Sequence, residues 1–175
     1  MNALSPEQME KLFVFAHDAH TKFNVRGKDH ILRRGLYPYM VHCMWAASTL
    51  IMDSEIPEGE RVLGFQILLL HDVLEDTTKA LPEWVGPDVA KGVEALTHDN
   101  WEEEQAAIEH YTPFLKLLKL CDKMQTLYER SIQNPQKQKE WKAFTERLLA
   151  DVIEQYGNTR ITVIARALLD DTQWG

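Results

Sequence analysis

Four apolar residues run without a break into one histidine and three carboxylates in ILLLHDVLEDTT, at positions 67–78. No turn residue separates the two halves, so one helix is expected to carry both a buried segment and an acidic end. Residues four apart share a helical face, which pairs His71 with Glu75 and Asp72 with Asp76. Ionised carboxylates are costly to bury unless paired or coordinated, and no basic residue stands among these four. Acids near a helix C-terminus also oppose its macrodipole. The cluster therefore points to an external cation, with imidazole nitrogen and carboxylate oxygen as ligands suited to Mn, Zn, Fe or Co. The competing reading is an exposed acidic helix end with no task beyond solubility.

The rest of the chain also reads as helix. Ser5-Pro6 forms an N-cap followed by proline at the first helical position, and that helix continues to about Phe23. An irregular, basic stretch follows, NVRGKDHILRRGLYP, at positions 24–38. Pro38 opens a second helix, SEIPEGE is a loop, and the third helix runs from about Glu60 into the acidic motif. Pro82, Gly86 and Pro87 mark another loop. Three helical segments come next, one of them broken near Pro113, and NTRITVIARALLDD closes the chain with Asn158 as cap. With no period-2 series, repeat or low-complexity linker, the expectation is all-α and a single domain over residues 1–175.

A formal net charge of −8 excludes a general nucleic-acid binder, which needs a basic face. No apolar run nears the roughly 20 residues that span a bilayer, and no signal peptide opens the sequence. Cys43 and Cys121 lie in apolar stretches without paired spacing, as buried thiols in a reducing compartment do. A cytoplasmic protein with no membrane or nucleic-acid partner is the expectation.

The His-Asp pair recurs at His17-Asp18, His71-Asp72 and His98-Asp99. Only the middle one follows an apolar run and precedes acids at helical spacing. His17 and His20 read as packed or solvated, and His98 as part of a helix C-cap. WEEEQ, at positions 101–105, reads as a solvated helix start capped by Asn100. Trp45, Trp84, Trp101 and Trp141 read as core, whereas Tyr37 and Tyr39 are candidates for stacking on a nucleobase.

Two further stretches extend the motif. YPYMVHCMWAA places His42 on an apolar helix after a Pro-Tyr, and FLKLLKLCDKMQTL places Asp122 inside another. The series His42, His71-Asp72, Asp122 resembles the HD superfamily of metal-dependent phosphohydrolases. The finer similarity is to the hydrolase domains of RelA/SpoT-type enzymes and the small stand-alone alarmone hydrolases. It is carried by YMVH, HDVLEDT, GPDVAKGVEALT, KLCD and the opening AHDAH, over roughly residues 10–130.

The resemblance implies an HD-type helical bundle and one metal ion held by His42, His71, Asp72 and Asp122. Mn is the metal it implies, with Fe, Co, Ni or Zn also acceptable to such a ligand set. Glu75 and Asp76 would orient or deprotonate the attacking water. Arg33, with Arg34 or Arg26 as alternatives, would face the substrate phosphates. Thr126 stands where the family carries an asparagine beside the substrate. The implied partner is a small nucleotide, and the implied reaction is removal of the 3′-pyrophosphate from (p)ppGpp. The alternatives are a 5′-nucleotidase or dNTP phosphohydrolase built on the same centre, or a non-catalytic domain that binds a nucleotide.

Overall fold

The computed structural model describes residues 4–25, 32–33, 37–128 and 134–171. In order these form α1 (Pro6–Lys22), β1 (Leu32–Arg33), β2 (Tyr37–Pro38), α2 (Met40–Ile51), α3 (Glu58–Leu70) and α4 (Val73–Asp76). They are followed by α5 (Pro87–Leu96), α6 (Trp101–Ala107), α7 (Pro113–Tyr128), α8 (Pro135–Tyr156) and α9 (Arg160–Asp170), with one 3-10 turn at Ile108–His110. The all-α expectation holds apart from a two-residue antiparallel ladder, Leu32 opposite Pro38 and Arg33 opposite Tyr37. A ladder that short has no period for a sequence pattern to show.

The helix starts follow local chemistry. Ser5 and Gln8 form a reciprocal capping box: Gln8 N–H donates to Ser5 Oγ at 3.2 Å, and Ser5 N–H to Gln8 Oε1 at 2.9 Å. Asn100 and Asn134 cap α6 and α8, each accepting at 2.9 Å from a backbone N–H three residues on. Gly157, at φ +75°, lets the chain leave α8. The cap of α9 is Thr159 rather than Asn158, because the helix begins one residue later than the sequence suggested. Asp53 Oδ2 also accepts from Ile161 N–H at 2.8 Å, which ties the α2–α3 loop to that helix start.

Two boundaries around the acidic motif differ from expectation. Pro38 sits in β2, and α2 begins at Met40. The third helix ends at Leu70, His71 and Asp72 form a turn, and α4 adds one more helical turn.

The core explains the uninterrupted apolar run. Ile67, Leu68, Leu69 and Leu70 are all buried, since α3 packs on α1, α2, α5 and α7. Gly64 allows the close approach: a Cβ there would run into the Leu50 and Leu118 side chains of α2 and α7. Cys43 and Cys121 are free buried thiols within this core. Among the described residues no helix is long and apolar enough to cross a membrane.

Candidate metal centre

Three elements bring four side chains together. The inward face of α2 carries His42, the turn after α3 carries His71 and Asp72, and the middle of α7 carries Asp122; all four are buried. His42 Nε2 lies 3.3 Å from His71 Nε2, 3.5 Å from Asp72 Oδ2 and 3.2 Å from Asp122 Oδ1. His71 Nε2 lies 3.1 Å from Asp72 Oδ1 and 3.7 Å from Asp122 Oδ1.

The other ring nitrogens are already engaged. His71 Nδ1–H donates to the Leu68 carbonyl at 2.7 Å, and His42 Nδ1–H to Gln125 Oε1 at 2.8 Å. Both Nε2 atoms are thereby turned toward each other and toward two carboxylates. Nitrogens this close cannot both hold a proton, and a shared cation resolves the conflict. The spacings among His42, His71 and Asp72, 3.1 to 3.5 Å, agree with ligand edges of about 3 to 3.5 Å around an ion with bonds near 2.1 Å, and Asp122 adds an oxygen 3.2 Å from one imidazole and 3.7 Å from the other. The donor set fits a divalent transition ion.

Electrostatics lead to the same conclusion. Burial opposes charge on His71, yet Asp72 and Asp122 outweigh it and push its pKa up to about 9. Burial likewise opposes charge on Asp122, but Lys123, Lys119 and the two histidines hold it well below the usual carboxylate range. The two carboxylates thus favour positive charge at His71, as a proton or a metal ion.

A cavity of about 290 Å³ opens beside His42, Asp72 and Asp122. Its lining includes Glu75 and Thr126, together with Lys119, Lys123 and Lys137. Asp76 is buried outside that lining, its backbone carbonyl accepting from Val25 N–H at 3.0 Å. The Arg33 side chain, Arg34 and Arg26 lie outside the described residues.

Several expectations are corrected here. Tyr39 is no base-stacking surface: it is buried, stacks on His20 at 4.7 Å between centroids, and donates to Asp72 Oδ2 at 2.7 Å. Tyr37 is half-buried, and its hydroxyl accepts from Gln125 Nε2 at 2.5 Å. Trp101 and Trp141 line the cavity, and Trp84 is 50% exposed, so none of the three is simple core. WEEEQ is capped as expected, but Glu104 turns inward to Lys119 and Lys123 because it shares a helical side with the half-buried Trp101. His98 is not a cap, since Thr97 ends α5 and His98 Nε2 pairs with Tyr111 OH at 2.5 Å. Sequence reasoning missed Gln125 and Glu104 as neighbours of the centre, because their contacts come from other elements of the fold.

No protein-family model matches the chain, and no curated protein matches it. Among solved structures, it is similar to that of a metazoan ortholog of SpoT, a protein that hydrolyzes ppGpp and plays a role in starvation responses. The TM-score is 0.72 at 19% identity, with all of each chain covered. That likeness shows a shared fold over the full length of both, and it bears out the all-α architecture.

Proposed function

We propose that this chain is a metal-dependent phosphohydrolase that removes the 3′-pyrophosphate from (p)ppGpp, with Mn as the metal. The observation that carries the reading is the convergence of His42, His71, Asp72 and Asp122 beside a cavity that also holds Glu75 and three lysines. The fold shared with a protein that hydrolyzes ppGpp supports the substrate. A cytoplasmic setting, with a small nucleotide as partner and neither nucleic acid nor membrane, belongs to the same reading.

When bound, a divalent ion supplies Lewis acidity to a phosphoryl oxygen and acidifies a water molecule. The residues of the chain do the rest. Glu75 is half-buried at the cavity, which supports a role in accepting the proton of the attacking water. Asp76 is buried one residue on and supports that turn. Lys123 and Lys137 offset phosphate charge, and the indole faces of Trp101 and Trp141 offer surface to a base. Arg33 and Arg34 would add charge, and Thr126 would place a hydroxyl beside the substrate. Water adds to the phosphorus, the bond to the ribose 3′-oxygen breaks, and GDP or GTP leaves with pyrophosphate.

A second reading, a 5′-nucleotidase or dNTP phosphohydrolase, rests on Thr126, a cavity-lining residue that cannot present the amide that would read a base differently. One experiment separates the readings. Metal-stripped protein, resupplied with Mn²⁺, is incubated with ppGpp and a panel of ribo- and deoxynucleotides, and products are resolved by anion exchange. Pyrophosphate plus GDP from ppGpp is the expected result. Cleavage of another nucleotide with ppGpp inert transfers the substrate to the second reading; no cleavage of any leaves a non-catalytic binding domain.

A further inference from the structure

Helix α6 touches neither imidazole, yet it sends one side chain to the edge of the centre. Glu104 is 9% exposed, and its Oε1 lies 2.7 Å from both Lys119 Nζ and Lys123 Nζ. The same two ammonium groups stand 3.4 and 3.2 Å from Asp122 Oδ2. Asp122 Oδ1, the other oxygen, faces His42 and His71. Two cations are therefore divided between two carboxylates, with the shorter contacts going to Glu104. Packing fixes this division: Trp101, one turn earlier on α6, rests on Phe144 of α8 with centroids 4.9 Å apart.

We propose that Glu104 is a positioning residue of the metal centre, holding the Lys119 and Lys123 ammonium groups off Asp122 so that Asp122 keeps its full charge for the ion. This rests on the metal reading above. Lys119 is 3% exposed and cannot turn its charge to water. Without the Glu104 carboxylate, both ammonium groups close on Asp122 Oδ2, and a carboxylate shared with two cations binds a third weakly. The set formed by Asp72, Asp122, Glu104, Lys119 and Lys123 also passes from net negative to neutral. Removing an outer-shell partner of this kind lowers metal affinity about 10- to 100-fold.

The test is a Mn²⁺ titration, followed by electron paramagnetic resonance, on metal-stripped full-length wild type, Glu104→Gln, Lys123→Met and the double variant. Thermal unfolding in chelator is recorded for each. Glu104→Gln should raise the Mn²⁺ Kd about 10- to 100-fold, and adding Lys123→Met should recover most of that loss. Lys123→Met alone should bind Mn²⁺ as tightly as wild type or tighter, which keeps the proposal testable if Glu104→Gln fails to fold. A merely structural Glu104 would lower the unfolding temperature and leave the Kd of the folded protein unchanged. A wild-type Kd in Glu104→Gln, or weaker binding in Lys123→Met, overturns the proposal while the metal centre stands. No Mn²⁺ binding by wild type overturns the metal reading and this inference with it.

Discussion

At the scale of single residues, the centre depends on groups that never touch a metal. Gln125 accepts from His42 Nδ1 and donates to Tyr37 OH, so it fixes the imidazole tautomer and ties α7 to β2, the strand paired with Arg33. Gln125→Leu should weaken Mn²⁺ binding about 10-fold or more, measured by the same titration. His42, His71, Asp72 and Asp122 were legible in the sequence as candidate ligands because each breaks a rule in its own segment, as Asp122 does inside an apolar helix. Gln125 breaks none, and its partners come from distant parts of the chain. His20 shows a different limit: a neutral, buried histidine looks like any other in sequence. Burial, with His71 adding to it and Asp72 opposing, lowers its pKa from 6.5 to about 4. The unfolded chain therefore takes up the proton first, so this stability is complete above pH 6.5 and is lost as pH falls toward 4. His20→Phe should flatten the fall in urea midpoint between pH 7 and pH 5; an unchanged slope would assign the acid lability elsewhere.

At the scale of elements, the break between α3 and α4 shapes the site. The turn at His71 and Asp72 leaves the α3 hydrogen-bond ladder, while Asp76 N–H still donates to the Asp72 carbonyl at 2.9 Å. The acidic cluster is held by that turn. Helical spacing alone did not show the break, because neither residue is a helix breaker and the apolar period continues into Val73. Caps were legible where Ser5, Asn100 and Asn134 precede a helix, since their chemistry is local. Glu104 was legible as part of a helix and illegible as a buried residue, for burial depends on what α7 places opposite it. Gly64→Ala tests the packing that sets α3 against α2 and α7. Helix propensity favours alanine by about 1 kcal/mol, but crowding against Leu50 and Leu118 costs about 1–3 kcal/mol. A net loss in urea-derived stability is expected, with metal affinity falling as well.

At the scale of the molecule, the proposed ligands come from α2, from the turn after α3 and from α7, and these elements form the centre of the bundle. An ion that binds only the folded chain raises stability by about 2.7 kcal/mol at 100 times its Kd. Chelation should therefore lower the unfolding temperature, and Mn²⁺ should restore it; the His71→Ala variant should show no such response. Conversion of Glu75→Gln should abolish turnover of ppGpp and spare Mn²⁺ binding, since Glu75 lines the cavity and is not one of the four proposed ligands. The measurement that tests the central claim most directly is anomalous diffraction at the Mn edge from crystals soaked in Mn²⁺. One peak within bonding distance of His42, His71, Asp72 and Asp122 is the predicted result. A peak elsewhere, or none at full soaking, would contradict it.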